Sequence, residues 1–517
     1  MHLPPAQPGR KRRTKSDFTS PDEVHQGNDV PRFASPLEEA PVARTGTPIS
    51  SLGELGDRTI SKVKRRVLPL IVFLYFIAFL DRNNVGFAKL TMSEDIGLSA
   101  TAYGLGAGIF FIGYAIFEVP SNAGMHRYGA RKWIARILVT WGFFATIMAF
   151  VQGETTFYII RFLLGAAEAG FFPAIILYLT YWFPAKQRVA VLGIFILAQP
   201  LANAIGAPIS GLLLKMDGIW GLAGWQWMYI VEGVPAILMG FVALVAMTNR
   251  PKDAMWLAPE ERRWLQETMD AEDAAKASTG EHSFMAGLKD RRALIFAALY
   301  FGLVMGIYGL SLWLPSIVKA MGNLSTTQVG FIVPIPYLFA ALAVFFWSRH
   351  SDRTGERVGH TSGAMLLGGI GLVASGFLLQ GSPILAMAAI SVGAMGIFSA
   401  ISPFWELPSA ALAGAAAASG IALINSLGNL GGFVAPFAVG ALVDRTGDAK
   451  YGLLLLSAVL FITAVATFLY GRKIHAGTVP TGSHEDVLAK DAAAFELPAD
   501  ELHHRGDPTD VPERRNR

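Results

Sequence analysis

Residues 67–88 read VLPLIVFLYFIAFLDRNNVGFA, and this stretch decides the fold class. Its apolar run is long enough for a helix that crosses a bilayer, which takes ~20 residues. The same stretch carries an acid and a base side by side, Asp81 and Arg82. Because hydrocarbon does not solvate charges, both side chains are expected to face the inside of a helical bundle.

More apolar runs of similar length follow this first span, which we place at 66–88. The composition agrees, since 52% of the 517 residues are hydrophobic and 16% are charged, whereas a soluble domain carries about 25% charge. The sequence therefore predicts an all-α membrane protein with twelve transmembrane helices in two pseudo-symmetric six-helix bundles. The later spans are expected near 103–122, 133–152, 156–181, 189–214, 225–247, 291–317, 327–347, 361–380, 383–407, 417–440 and 452–471.

Polar segments divide the chain into five parts. Residues 1–61 are rich in Pro, Gly, Ser and charge and are expected to form a disordered cytoplasmic tail. An N-terminal bundle at 62–248 and a C-terminal bundle at 291–473 enclose a linker at 249–290, and a second tail occupies 474–517. In the linker, Pro259, Glu260 and Glu261 suit the first turn of a helix, which predicts a surface helix there.

Lysines and arginines in the short loops predict the orientation, because such loops stay in the cytoplasm. Basic residues precede the first span and lie between spans two and three, four and five, and eight and nine. Both termini and the linker should therefore be cytoplasmic, in a plasma (inner) membrane. The basic cluster at 11–15 lacks a folded module around it, so no nucleic-acid partner is expected. The chain has no cysteine, which excludes disulfides and thiolate metal sites.

Two loops repeat one pattern at corresponding places in the two halves. The motif of basic residue, any residue, Gly, any residue, basic residue occurs at 127–131 and again at 353–357. Parallel repeats of this kind place a substrate site between the halves near the midplane. The loop pattern resembles the signature of the major facilitator superfamily, with His126 where an Asp is usual. The resemblance implies a gating loop made of Arg127, Gly129, Arg131, Asp352, Arg353 and Gly355.

Charges inside the spans are the best candidates for function. In span four, Arg161 and Glu168 are seven residues apart, which brings them to one helix face. An arginine stays charged and can bind a carboxylate through its planar fork, and a carboxylate in a low-dielectric cavity can titrate near neutral pH. Asp81, Arg82 and this pair could therefore carry a proton and an anion. Buried structural ion pairs are the alternative, and Arg161 could serve Glu168 or the substrate.

Other polar residues in the spans are less decisive. Glu118, near the end of span two, is expected to pair with the basic loop that follows it, whereas spacing does not place Glu232 or Glu406. Asn203 and Asn429 could line a pore or join two helices by hydrogen bonds. The histidines show no metal spacing, and the sequence has no nucleophile elbow or P-loop. We expect no enzyme activity, no metal and no cofactor apart from a coupling proton.

Three segments carry a closer resemblance: YFIAFLDRNNVGFA, RFLLGAAEAGFFPAIILYLTYWFP and GIALINSLGNLGGFVAP. They resemble the anion:cation symporter family of the major facilitators, and the bacterial tartrate-transporter group in particular. The resemblance implies protonation at Asp81 and Glu168 and a carboxylate contact from Arg82. It also implies substrate contacts from Tyr114, Gln199, Ser402, Trp405 and Asn425.

The function expected from these features is proton-coupled symport of a small organic anion, such as tartrate or a sugar acid, by a monomer in the lipid bilayer. A phosphate-linked exchanger of the same fold would need an arginine from each half, and span seven has no internal arginine. A multidrug/proton antiporter and a non-transporting nutrient sensor are further alternatives. The segment ANAIGAPISG in span five faintly resembles the antiporter motif, although the cationic pair favours anions.

Overall fold

The computed structural model describes residues 49–196, 198–278, 290–412 and 415–473. In these ranges the regular structure is entirely helical, and 10 stretches are long and apolar enough to cross a membrane. Two further spans are the first, at Ile49–Asp95, and the fifth, which is described on both sides of residue 197. Together with the 10 stretches they make the twelve helices of an all-α membrane protein. The linker helix follows the first six spans, as predicted, at Pro259–Ser278.

The two halves each contain six spans, some of which consist of two helices that meet at a kink. The N-terminal bundle contains span 1 (Ile49–Asp95), span 2 (Ala100–Tyr128), span 3 (Ala130–Ile147), span 4 (Glu154–Glu168 and Phe171–Trp182), span 5 (Ala185–Ile196 and Ala198–Leu213) and span 6 (Gly224–Ala246). The C-terminal bundle contains span 7 (Arg291–Ala320), span 8 (Thr326–Ile332 and Pro334–Thr354), span 9 (Val358–Leu378), span 10 (Pro383–Ser399 and Ile401–Ala411), span 11 (Ala415–Asn429 and Gly431–Thr446) and span 12 (Ala449–Lys473).

Span 1 begins earlier than the sequence suggested. Its helix starts at Ile49, so residues 49–61, which we assigned to a disordered tail, are helical. Residues 1–48 and the second tail at 474–517 lie outside the described residues. The physical reason for the helix at 53–62 is a docking contact: Arg58 and Lys62 bind Glu261 of the linker helix at 2.9 and 2.6 Å. Trp264 packs against Gly56 on the same surface.

We call the end of the protein that carries the linker helix the linker side, and the opposite end the far side. On the linker side, Arg188 also binds Glu272 of the linker helix, at 2.7 Å. The linker helix is thus attached to the N-terminal bundle by ion pairs from span 1 and span 5. Trp256, just before this helix, stacks on Trp182 of span 4 with ring centroids 5.5 Å apart.

The two bundles meet closely on the far side. The backbones of spans 2 and 11 are in close contact there, at Gly104. A Cβ on this glycine would lie only 2.2 Å from the carbonyl oxygen of Pro436. Spans 5 and 8 cross at a second small-residue contact, Gly211 against Gly330. The Tyr103 hydroxyl donates a hydrogen bond of 2.9 Å to the carbonyl of Leu312 in span 7. Small residues let helices in lipid approach this closely.

The two repeated loops lie on the linker side, and in each the chain turns at the central glycine of the motif. Gly129 and Gly355 both have positive φ, 82° and 66°, and each ends a helix. Near the first turn, the Arg131 main-chain N–H donates to Asn249 at 2.9 Å. Near the second, Arg357 binds Asp352 at 2.7 Å. These positive φ angles explain why the motif needs a glycine at its centre. The remaining members of the predicted gating loop, Arg127 and Arg353, lie in the same two segments.

Candidate functional site

A central cavity of about 80 Å³ lies between the two bundles. The N-terminal bundle lines it with spans 1, 2, 4 and 5, and the C-terminal bundle with spans 7, 10 and 11. Of the predicted site residues, five line this cavity: Arg82, Tyr114, Glu168, Gln199 and Asn425.

Arg82 is the centre of the site. Its guanidinium forms an ion pair with Glu168 of span 4 and donates a hydrogen bond of 3.0 Å to the Tyr308 hydroxyl of span 7. Aromatic rings surround it, with the guanidinium carbon 5.2 Å from the Phe79 ring and 5.4 Å from the Tyr114 ring. The Arg82 side chain thus contacts an acid of its own bundle and a hydroxyl of the other bundle. Its Nε has no hydrogen-bond partner among the described residues.

Glu168 owes its position to a break in span 4. The first helix ends at Glu168, and the chain turns through Gly170, which has φ 81°. A Cβ on Gly170 would lie 2.4 Å from the Ser121 hydroxyl, so a larger residue would disturb this turn. The break places the carboxylate, which is 1% exposed, directly against Arg82. Such a buried pair needs hydrogen bonds to offset the cost of desolvation.

The C-terminal bundle contributes neutral polar groups to the cavity. Tyr300 and Tyr308 come from span 7, and Asn425 and Asn429 come from span 11. The Asn429 amide donates a hydrogen bond of 3.2 Å to the Asn425 side-chain oxygen. Sequence reasoning did not single out the two tyrosines. A hydroxyl-bearing residue inside an otherwise apolar span could have indicated a cavity position, and Tyr308 is such a residue, in the segment GIYGL.

Asp81 does not line this cavity, although it is adjacent to Arg82 in sequence. It is buried inside the N-terminal bundle, 2% exposed, and neither carboxylate oxygen has a hydrogen-bond partner among the described residues. Adjacent residues on a helix point about 100° apart, so Asp81 and Arg82 face different surroundings. Glu232, which spacing could not place, accepts a hydrogen bond of 2.7 Å from the Ser210 hydroxyl of span 5.

The predicted ion pair between Arg161 and Glu168 is not formed. Arg161 is fully buried and donates instead to two main-chain carbonyls of span 2, those of Gly106 at 3.3 Å and Ala107 at 3.0 Å. The seven-residue spacing does place both side chains toward the bundle interior. Arg82 reaches Glu168 from span 1, which spacing within span 4 could not reveal.

Two predicted substrate contacts lie away from the cavity lining. Ser402 is exposed, and Ile401 beside it takes the lining position. Trp405 packs edge-on against Tyr300 with ring centroids 4.8 Å apart, so it supports a cavity residue without lining the cavity. Both residues lie in Ile401–Ala411, the second helix of span 10.

Glu118 connects the bundles, contrary to the expectation that it pairs with the basic loop. Its carboxylate accepts hydrogen bonds of 2.9 Å from Asn425 and from Ser426, both in span 11. It is 4% exposed and lies between the cavity and the linker side of span 2. No group of three His, Cys, Asp or Glu side chains that could hold a metal occurs among the described residues.

The chain is similar in sequence to several bacterial proteins that are named as transporters. A candidate tartrate transporter of Agrobacterium vitis is 51% identical over 420 residues, which cover 81% of this chain and 92% of the relative. The quinolone resistance transporter of Acinetobacter baumannii is 44% identical, covering 80% of this chain and 95% of the relative. The inner membrane transport protein RhmT of Escherichia coli is 39% identical, with coverage of 80% and 95%.

Solved structures share the fold. A bacterial homologue of the human lysosomal transporter Spinster, in an inward-facing and unoccupied conformation, superposes with a TM-score of 0.65 at 15% identity. The match covers 80% of this chain and 97% of that one. The family model described as Major Facilitator Superfamily matches residues 71–436. From this match and the relatives above 30% identity, the chain belongs to the Major Facilitator Superfamily, a family of membrane transporters.

Proposed function

We propose that this transporter moves a small organic anion together with a proton, by alternating access through the central cavity. The observation that supports this most strongly is the pairing of Arg82 with Glu168 in a cavity between two bundles. Arg82 offers a site for an anion, and Glu168, which is in direct contact with it, offers a site for a proton.

The coupling follows from competition for one guanidinium. When Glu168 is ionised it occupies Arg82, so a substrate carboxylate must displace it. A proton on Glu168 removes that competitor and frees the fork of Arg82 for a bidentate carboxylate contact. Each ligand therefore raises the affinity for the other, which is the thermodynamic requirement for coupled transport. Asp81, buried and without a hydrogen-bond partner among the described residues, is a second proton site in this proposal.

The lining favours a hydroxylated carboxylate such as tartrate or a sugar acid. Gln199, Asn425, Asn429 and Tyr308 offer neutral donors and acceptors around the guanidinium, and such groups suit substrate hydroxyls. The relative from Agrobacterium vitis, whose name refers to tartrate, supports the same substrate class.

A second candidate is export of aromatic drugs in exchange for protons. The relative named for quinolone resistance favours it, and so do the aromatic rings of Phe79, Tyr114 and Tyr300 at the cavity. A quinolone also carries a carboxylate, so the same arginine could bind it. The two candidates differ in the direction of transport and in the need for substrate hydroxyls.

The membrane arrangement proposed is the plasma membrane with the linker side in the cytoplasm. Basic residues of the short loops support this orientation. Reporter fusions within 255–278 and after Lys473 should both report cytoplasm, and a periplasmic report from either would reverse the orientation.

Uptake by proteoliposomes tests the function. Labelled tartrate should accumulate above its external concentration when the outside is made acidic, and galactonate and malate should compete with it. Accumulation that ignores the pH gradient would exclude proton symport. Competition by a quinolone but not by any hydroxy acid would replace the first candidate with the second.

A further inference from the structure

A second cavity, larger than the central one, opens on the exposed surface of the C-terminal bundle. It has a volume of about 670 Å³, within the range of about 300–1,000 Å³ for ligand pockets. Span 8 forms one wall through Leu342 and Phe346, and the small residues Ala364 of span 9 and Gly396 of span 10 form the floor. We call it the basic groove, because Arg349 and Arg353 lie at its linker-side end.

Apolar exposure alone would not mark a site here, because the outer spans of a helical membrane protein face lipid. Phe346 is 65% exposed and Leu342 58% exposed for that reason. What sets the groove apart is its depth. Spans 9 and 10 cross so closely that a Cβ on Gly396 would lie 2.2 Å from the Gly368 nitrogen. Because the residues at this crossing are small, a concave channel remains between them and span 8.

The charges at the mouth of the groove are positive and unneutralised. Two acids lie nearby, and each has its own partner: Asp352 binds Arg357 at 2.7 Å, and Glu356 binds His360 at 2.7 Å. Among the described residues, Arg349 and Arg353 form no ion pair, and both are exposed.

We propose that the basic groove binds an anionic phospholipid, with one acyl chain between span 8 and spans 9 and 10 and the phosphate against Arg349 and Arg353. The apolar channel fits a hydrocarbon chain, and the two arginines match a phosphate in charge and hydrogen-bonding geometry. Basic pockets between transmembrane helices bind anionic head groups in this way. The lipid would hold span 8 against spans 9 and 10.

Lipid binding to the purified full-length chain tests the proposal, by native mass spectrometry with phosphatidylglycerol and phosphatidylcholine of identical acyl chains. We expect phosphatidylglycerol to bind at least tenfold more tightly. The double variant Arg349→Ala and Arg353→Ala should weaken it about tenfold to thirtyfold, whereas the double Lys variant should keep most of the binding. Lys132→Ala, at an exposed position in the first turn of span 3 beside the corresponding loop of the other half, is the matched control and should have no effect.

A second variant tests the acyl-chain part independently. Ala343→Phe fills the groove from its open side and should lower the binding of both lipids. Free glycerol phosphate should not displace the bound lipid, because it lacks the chain. The proposal is overturned if the double Ala variant binds phosphatidylglycerol like the parent protein, if the two lipids bind equally, if Ala343→Phe has no effect, or if glycerol phosphate competes. Unchanged thermal melting of each variant in detergent shows that it is folded.

Discussion

The carboxylate of Asp444, at the far end of span 11, accepts a hydrogen bond of 2.7 Å from the main-chain N–H of Thr101 in the first turn of span 2. It accepts a second one of 3.0 Å from Ala100. An acid at a helix N-terminus is favourable because it meets unpaired N–H groups and the positive end of the helix dipole. Here the acid and the helix belong to different bundles, so the contact stabilises the closed far side.

Asp444→Ala should therefore open the far side more often. Loss of an acidic cap costs about 0.5–2 kcal/mol, which would change the ratio of closed to open molecules by roughly twofold to thirtyfold. The chain has no cysteine, so Ser311→Cys can report alone. Its labelling by a maleimide added from the far side should accelerate in the Asp444 variant. Asp448→Asn is the control, because its partners Gln380 and Lys450 lie in the same half. Equal labelling in all three proteins would contradict the closing role.

Arg82→Lys should weaken substrate binding by about tenfold to a hundredfold, because lysine keeps the charge but loses the planar fork. Tyr308→Phe removes only the hydroxyl that accepts from Arg82 and should have a smaller effect. Competition binding of unlabelled against labelled substrate measures both. Unchanged affinity in Arg82→Lys would place the anion site elsewhere.

Glu168→Gln should abolish accumulation driven by a pH gradient while preserving exchange of substrate for substrate. Glutamine retains the shape and accepts a hydrogen bond from Arg82, but it cannot take up a proton. Parallel assays of uphill uptake and of counterflow in proteoliposomes separate the two activities. Glu406→Gln, at an exposed position in span 10, serves as the control. A Glu168→Gln protein that still concentrates substrate would exclude Glu168 as the coupling site.

Glu118→Ala should separate spans 2 and 11 on the linker side, because it removes the acceptor of two hydrogen bonds, from Asn425 and Ser426. Glu118→Gln keeps one acceptor and should show a smaller change. Spin labels at Tyr128 and Ser409, both exposed, report the distance between the two bundles by pulsed electron resonance. A distance distribution like that of the parent protein would mean that this contact does not restrain the linker side.

The attachment of the linker helix should weaken in acid. Burial alone would raise the pKa of Glu261, but hydrogen bonds from Lys62 and from the Ala258 N–H, with the charge of Arg58, lower the pKa below its ordinary value. A depressed pKa in the folded state stabilises the attachment above the ordinary carboxylate pKa, and this contribution is lost as pH falls through the folded value.

We expect Glu261→Gln to lower the free energy of attachment by about 1–2 kcal/mol at neutral pH, and to remove the acid dependence below pH ~4.5. Hydrogen exchange of the 259–278 backbone measures both effects. Glu267→Gln, at an exposed position of the same helix, is the control. Identical exchange in the parent protein and Glu261→Gln at neutral pH would exclude the ion pairs as the attachment.

The sequence predicted the fold because length and apolarity specify a transmembrane helix almost independently of tertiary context. It also predicted that Arg82 and Glu168 share a site, since charges in a span must face inward. It could not predict which partners meet. Arg161 donates to carbonyl groups of span 2 and not to Glu168, and Ser402 is exposed while Ile401 lines the cavity. Helix breaks and contacts between distant spans depend on tertiary packing, which the periodicity of a single segment does not reveal.

The charged groups that line the central cavity, Arg82 and Glu168, both belong to the N-terminal bundle, whereas the C-terminal bundle lines it with tyrosines, asparagines and aliphatic residues. A chimera that joins this N-terminal half to the C-terminal half of a relative would therefore keep both charged groups of the cavity. Under the proposed symport, substitutions in spans 7, 10 and 11 would change the shape and hydroxyl groups of the cavity and leave the Arg82–Glu168 pair unchanged.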